Sequence, residues 1–143
     1  MKKVTIIYWS GTGNTTMMAN AISEGVKGVG NPVDVVQVED ANKDMVVNSE
    51  LLAFGCPSMG AEVLEEEFME PFIESLKDVD LSGKKVALFG SYDWGNGEWM
   101  QDWEARMKEY GASVIREGLI LHLTPDDDGI EKCKELGEDI ARA

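Results

Sequence analysis

Histidine and cysteine are nearly missing from this chain, one and two respectively in 143 residues. A lone histidine supplies no metal cluster and no Ser-His-Asp set, and nothing pairs it with a cysteine. Cys56 and Cys133 cannot ligate a four-cysteine iron–sulfur or zinc site. Far apart in sequence, they read as reduced, unpaired thiols. Positive charge is scarce as well: 13 Lys and Arg face 27 Asp and Glu, a net charge of −14. That balance argues against nucleic acid and anionic membranes, both of which attract basic surfaces. It fits partners with basic surfaces, or plain solubility. No apolar run approaches the ~20 residues of a membrane span, and no signal-peptide pattern precedes the first strand-like run. The expectation is a cytoplasmic protein of one domain, residues 1–143, without repeat, linker or low-complexity tract.

What is present is a glycine and hydroxyl-rich loop, Ser10-Gly11-Thr12-Gly13-Asn14-Thr15, directly after the apolar run Val4–Trp9. A helical pattern follows from Thr16 to about Val26, predicted to end near Gly25 and Gly28. Strand, tight loop and helix in that order make a phosphate cradle. Glycine lets the backbone curl toward a ligand, and amides at a helix N-terminus face an anion in a favourable dipole. The loop holds no Lys or Arg and lacks the G-x-x-x-x-G-K-[ST] run of a P-loop. Position 16 is Thr where a dinucleotide fingerprint needs a third glycine. Neutral donors alone suit one terminal phosphate monoester better than a triphosphate.

Further apolar runs at Val33–Val38, Glu50–Cys56, Lys85–Gly90 and a broken fifth at Ser113–Ile115 with Leu119–Leu123 read as strands. Helices are predicted at Glu65–Leu76 (interrupted by Pro71), Glu98–Tyr110 and Gly129–Arg142, with a poorly patterned acidic connection at Asp40–Asn48. Strands that are apolar throughout, separated by helices, indicate a parallel sheet covered on both faces. Ligands of such sheets lie beyond the carboxyl ends of the strands. Three loops leave strand ends there: Ser10–Thr15, Pro57–Glu62 and Ser91–Gly97. The second carries Met59 and Gly60. The third carries Tyr92 and Trp94 among glycines, where an exposed aromatic invites a flat ring. Trp99 and Trp103, four apart on one helix, read as packing residues. Trp9 fits either core or loop. His122 falls in the last strand and reads as structural.

Together these loops resemble short-chain flavodoxins of the clostridial and megasphaeral type. The matching stretches are Tyr8-Trp9-Ser10-Gly11-Thr12-Gly13-Asn14-Thr15, Gly55-Cys56-Pro57-Ser58-Met59-Gly60, and Ala87–Tyr92 with Trp94-Gly95, extended by Gly97 and Trp99-Met100. The resemblance covers essentially the whole chain. It implies a doubly wound α/β three-layer sandwich whose five-stranded parallel sheet runs in the order 2-1-3-4-5. It implies noncovalent FMN and low-potential one-electron transfer between semiquinone and hydroquinone, in place of a ferredoxin and without substrate chemistry of its own. Monomers meeting basic docking surfaces of reductases, or of hydrogenase or pyruvate oxidoreductase type partners, complete the picture. An FMN-dependent quinone or NAD(P)H oxidoreductase on the same fold is the alternative, and a phospho-acceptor receiver a remote third.

Carried over by position, Ser10, Thr12, Asn14 and Thr15 bind the phosphate, and Gly11 and Gly13 give backbone access. Met59 lies on one face of the isoalloxazine and Trp94 on the other. Pro57, Ser58, Gly60 and Ala61 complete the second loop, with a Gly60-Ala61 peptide that flips toward N5 on reduction. Glu62 accepts from N3–H. Ser91, Tyr92, Asp93, Gly95 and Gly97 frame the pyrimidine end. Two positions depart from the family pattern. Ala61 stands where Asp, Asn, Gly or Ser is usual; if the turn needs φ > 0 there, alanine costs about 1–2 kcal/mol, roughly tens of millivolts for one electron, and Ala61→Gly raises the first potential. Asp93 stands where Gly is usual and adds charge. Glu62, Glu65, Glu66, Glu67 and Asp93 each repel a reduced flavin by about 0.4 kcal/mol at ~10 Å in a water-like medium, which pushes the second couple negative.

Overall fold

The computed structural model describes residues 1–143. The sheet begins with β1 (Val4–Tyr8), followed by α1 (Asn14–Val29), β2 (Val33–Gln37), α2 (Lys43–Val47), β3 (Leu51–Gly55) and α3 (Met69–Ser75). Then come β4 (Lys85–Tyr92), α4 (Glu98–Glu109), β5 (Ser113–Val114), β6 (Leu119–His122) and α5 (Asp127–Arg142). All strand pairs are parallel, in the order β2-β1-β3-β4-β5. The fifth strand is split: β5 pairs with the start of β4, and β6 with its end.

Alternation along the central strands sorts side chains onto two faces. Val4, Ile6, Tyr8, Leu51 and Ala53 pack beneath α1 and α5 with Met18, Ile22, Leu136 and Ile140. Ile7, Leu52, Phe54, Val86 and Leu88 meet α3 and α4 through Met69, Ile73, Trp99 and Trp103. β1 and β3 are buried along their whole length, as their unbroken apolar runs require. β2 is the edge and leaves Asp34, Val35 and Gln37 exposed.

Three elements differ from the sequence reading. Gly25 and Gly28 do not end α1, which runs on to Val29 and closes on Gly30 in the left-handed conformation at φ 106°. Gly25 is interior because α5 presses on it; an added Cβ would strike the Lys134 carbonyl oxygen. The acidic connection contains a short helix, α2, whose Asn42 cap accepts from Met45 N–H at 3.1 Å. The helix foreseen from Glu65 begins only at Met69, with Pro71 inside its first turn, where a missing N–H leaves no bond unmade. Glu65 therefore lies ahead of the helix, not in its first turn. It is 6% exposed, and its carboxylate accepts from the N–H groups of Glu67, Phe68 and Met69 at 2.7–2.9 Å.

Candidate functional site

The loops leaving β1, β3 and β4 meet at one end of the sheet around a cleft of about 240 Å³. Thr12 and Asn14 line it from the first loop, Ser58 and Met59 from the second, Tyr92 and Asp93 from the third. Ser91 joins all three. Its hydroxyl lies 3.2 Å from that of Thr15, and its carbonyl accepts from Ser58 N–H at 3.0 Å. The Thr15 hydroxyl, expected on the phosphate, is buried and shares this contact with Ser91.

The first loop is built around Ser10, whose Oγ accepts from Gly13 N–H at 3.1 Å and Thr16 N–H at 3.3 Å. Gly13 holds φ at 96°, a left-handed turn that a side chain would strain. The amides of Gly11, Thr12 and Thr15 donate to nothing within the chain. Free amides at the positive end of a 16-residue helix, with hydroxyls beside them and no basic side chain in the loop, fit a phosphate monoester.

The second loop is a small closed hairpin. Met59 and Val63 exchange both backbone hydrogen bonds at 2.9 and 3.0 Å around Gly60, Ala61 and Glu62. Positive φ falls at Gly60 (49°) and Glu62 (57°). The strain expected at Ala61 is therefore absent from this turn, and Ala61→Gly has no left-handed penalty to relieve here. The Glu62 carboxylate, foreseen as an acceptor for a ring N–H, accepts from Gly97 N–H at 3.0 Å through Oε1. It covers Gly95 so closely that a Cβ there would strike it. Trp94 stands 60% exposed and outside the lining of the cleft, while Met59 lies within it.

Behind the second loop, Cys56 Sγ accepts from Glu65 N–H at 3.4 Å. Burial pushes its thiol up to about 12, and that of Cys133 likewise. Neither should react with a thiol reagent at pH 8 until the chain unfolds; labelling of native protein at that pH would contradict the packing. An unfolded thiol ionises near 8.5, so each contribution to stability is whole below that pH and fades as pH rises toward 12.

A fourth segment went unread in the sequence. Leu123, just past β6, lines the cleft, and Thr124 Oγ1 donates to Asn14 Oδ1 at 3.1 Å. Its only signal was topological: in a parallel sheet every strand exit lies at the ligand end.

The flavodoxin family model matches residues 6–137. The flavodoxin of Clostridium beijerinckii is 49% identical over 136 residues, 95% of this chain and 97% of that one. The flavodoxin of Megasphaera elsdenii is 48% identical over 140 residues, 98% and 99% of the two chains. The solution structure of two-electron reduced Megasphaera elsdenii flavodoxin superposes with a TM-score of 0.88, covering 98% of this chain and 99% of that chain.

Proposed function

The chain belongs to the flavodoxin family, and from that we infer a low-potential electron carrier that holds FMN noncovalently within residues 1–143. It is an electron-transfer flavoprotein and performs no substrate chemistry of its own. Bound FMN supplies the one-electron redox chemistry. The observation that carries the assignment of the site is the meeting of three strand-exit loops on Ser91, beside a helix N-terminus with free amides.

Ser10, Gly11, Thr12, Gly13 and Asn14 hold the phosphate, using backbone amides and hydroxyls, while Thr15 ties that loop to Ser91. Pro57, Ser58 and Met59 supply one wall for the ring, and the thioether of Met59 suits an aromatic face. Trp94 supplies the other by moving from its exposed position onto the ring, a contact worth about 1–3 kcal/mol. Gly60 and Ala61 form the exposed tip of the closed hairpin beside the ring. Glu62 is held at the ring edge by Gly97 N–H and leaves its second carboxylate oxygen free to accept. Ser91, Tyr92, Asp93 and Gly95 complete the rim.

Glu62, Glu66, Glu67 and Asp93 keep negative charge near the ring and oppose the second electron. The buried Glu65 contributes less, because three N–H groups already balance its charge. Electron carriers work with redox partner proteins, and the acidic rim with exposed Trp94 fits basic docking surfaces, where complementary charge chiefly speeds encounter. No helix is long and apolar enough to cross a membrane, which fits a cytoplasmic carrier.

Stepwise reduction of the FMN-loaded protein is expected to give a strong EPR signal near half reduction, with the second electron entering only at a much lower potential. Direct two-electron reduction would instead mark an FMN-dependent quinone or NAD(P)H oxidoreductase. Failure to take up FMN would overturn the site itself.

A further inference from the structure

We propose that His122 is a positioning residue for the Asp93–Asn96 segment, the stretch that presents Trp94. The proposal rests on the reading of that segment as a ring-binding loop. Between the end of β4 and the start of α4, the backbone of residues 93–96 makes a single hydrogen bond with the rest of the chain. It is the one from His122 Nε2 to the Asp93 carbonyl, at 2.9 Å. The amides of Asp93, Trp94, Gly95 and Asn96 have no acceptor in the chain. Without His122 no hydrogen bond would fasten the segment between its two ends.

The imidazole is itself held in place. Its ring packs on Tyr92 with centroids 5.1 Å apart, and Tyr92 packs in turn on Trp99 at 6.1 Å. Trp99 is buried and donates from Nε1 to the Cys56 carbonyl, behind the second loop. Leu123 follows at φ 57° and donates its N–H to the Tyr92 carbonyl at 2.8 Å. Residues 122 and 123 therefore grip two consecutive carbonyls, those of Tyr92 and Asp93. A left-handed leucine persists only where surrounding contacts hold it, and the hydrogen bond to the Tyr92 carbonyl is one such contact.

A carbonyl oxygen can only accept, so Nε2 must carry the hydrogen. The neutral ring is then confined to the Nε2–H tautomer. His122 is the only histidine in the chain, so one ¹⁵N imidazole spectrum of the FMN-free protein reads it without ambiguity. The same sample yields backbone ¹⁵N order parameters for residues 94–96.

The expected result is the Nε2–H tautomer, lower order parameters at 94–96 in His122→Ala, and recovery in His122→Gln, whose side-chain amide can still donate. FMN affinity should fall about five-fold in His122→Ala, as expected for one lost hydrogen bond, and return in His122→Gln. An Nδ1–H tautomer, unchanged order parameters in His122→Ala, or a His122→Gln variant as loose as His122→Ala would overturn the role. These loop measurements are made without FMN. Should the wild-type protein fail to bind FMN, the electron-carrier reading falls while the positioning of the segment is still decided.

Discussion

Gly25→Ala and Gly137→Ala are each expected to lower the unfolding free energy by about 1–3 kcal/mol, the usual range for overpacking a tight contact, while Gly28→Ala raises it by up to ~1 kcal/mol. All three glycines sit inside helices, where alanine is intrinsically the better residue. Packing decides the sign. At Gly25 an added Cβ would strike the Lys134 carbonyl oxygen, and at Gly137 it would strike that of Ile22. The two contacts are reciprocal: each helix offers a glycine to the backbone of the other, so α1 and α5 lie too close for a methyl group on either side. Backbone cannot rotate away as a side-chain tip can, so the helices must separate and the core beneath them loosens. At Gly28 nothing lies within 4 Å of the added atom, so only the gain in helix propensity remains. Urea unfolding of the three variants reads the signs directly. A Gly137→Ala variant as stable as the parent would mean that the helices part at no cost.

The same glycines show where sequence reasoning stops. Gly25 and Gly28 are alike as residues in a helical pattern, and both suggested a helix end. Only the position of α5, more than a hundred residues away in sequence, separates a packing glycine from an incidental one. Short-range patterns fared better. The unbroken apolar runs of β1 and β3 gave buried parallel strands, and three loops with glycine and aromatic chemistry gave the sheet end where the cleft lies. Trp99 and Trp103, spaced four apart, are buried together as expected.

What failed depended on hydrogen bonds between distant residues. The Thr15 hydroxyl read as a phosphate donor from its neighbours in sequence, and its contact with Ser91, 76 residues on, could not be read there. Glu65 read as the start of a helix, yet it lies ahead of α3, and its carboxylate accepts from the amides of Glu67, Phe68 and Met69. Whether the turn needs positive φ at Ala61 could not be read from the sequence; the hairpin closed between Met59 and Val63 has it at Gly60 and Glu62. His122, read as structural, does bond backbone, but its partner, the Asp93 carbonyl 29 residues earlier, had no signal in the sequence.

Ser10→Ala is expected to weaken FMN binding by about 10–100-fold while leaving riboflavin binding within about two-fold, the range of one or two charge-assisted hydrogen bonds. Ser10 shapes the loop by accepting from the amides of Gly13 and Thr16, and its hydroxyl proton is left free to donate outward. Alanine removes both functions. The two amides turn to water in the free protein, the left-handed turn at Gly13 loses its anchor, and the donors no longer converge on one point. The loop has no Lys or Arg to compensate, so geometry is its whole means of holding an anion. Riboflavin shares the ring and ribityl chain of FMN and lacks only the phosphate, so it isolates the contribution of this loop from that of the Met59 and Trp94 walls. Ser10→Thr keeps the hydroxyl and should recover most of the FMN affinity. Equal losses for FMN and riboflavin in Ser10→Ala would show that the loop supports the ring rather than the phosphate, and would move the anion site elsewhere on the sheet edge. Loss confined to FMN, restored by threonine, would fix the phosphate at the N-terminus of α1.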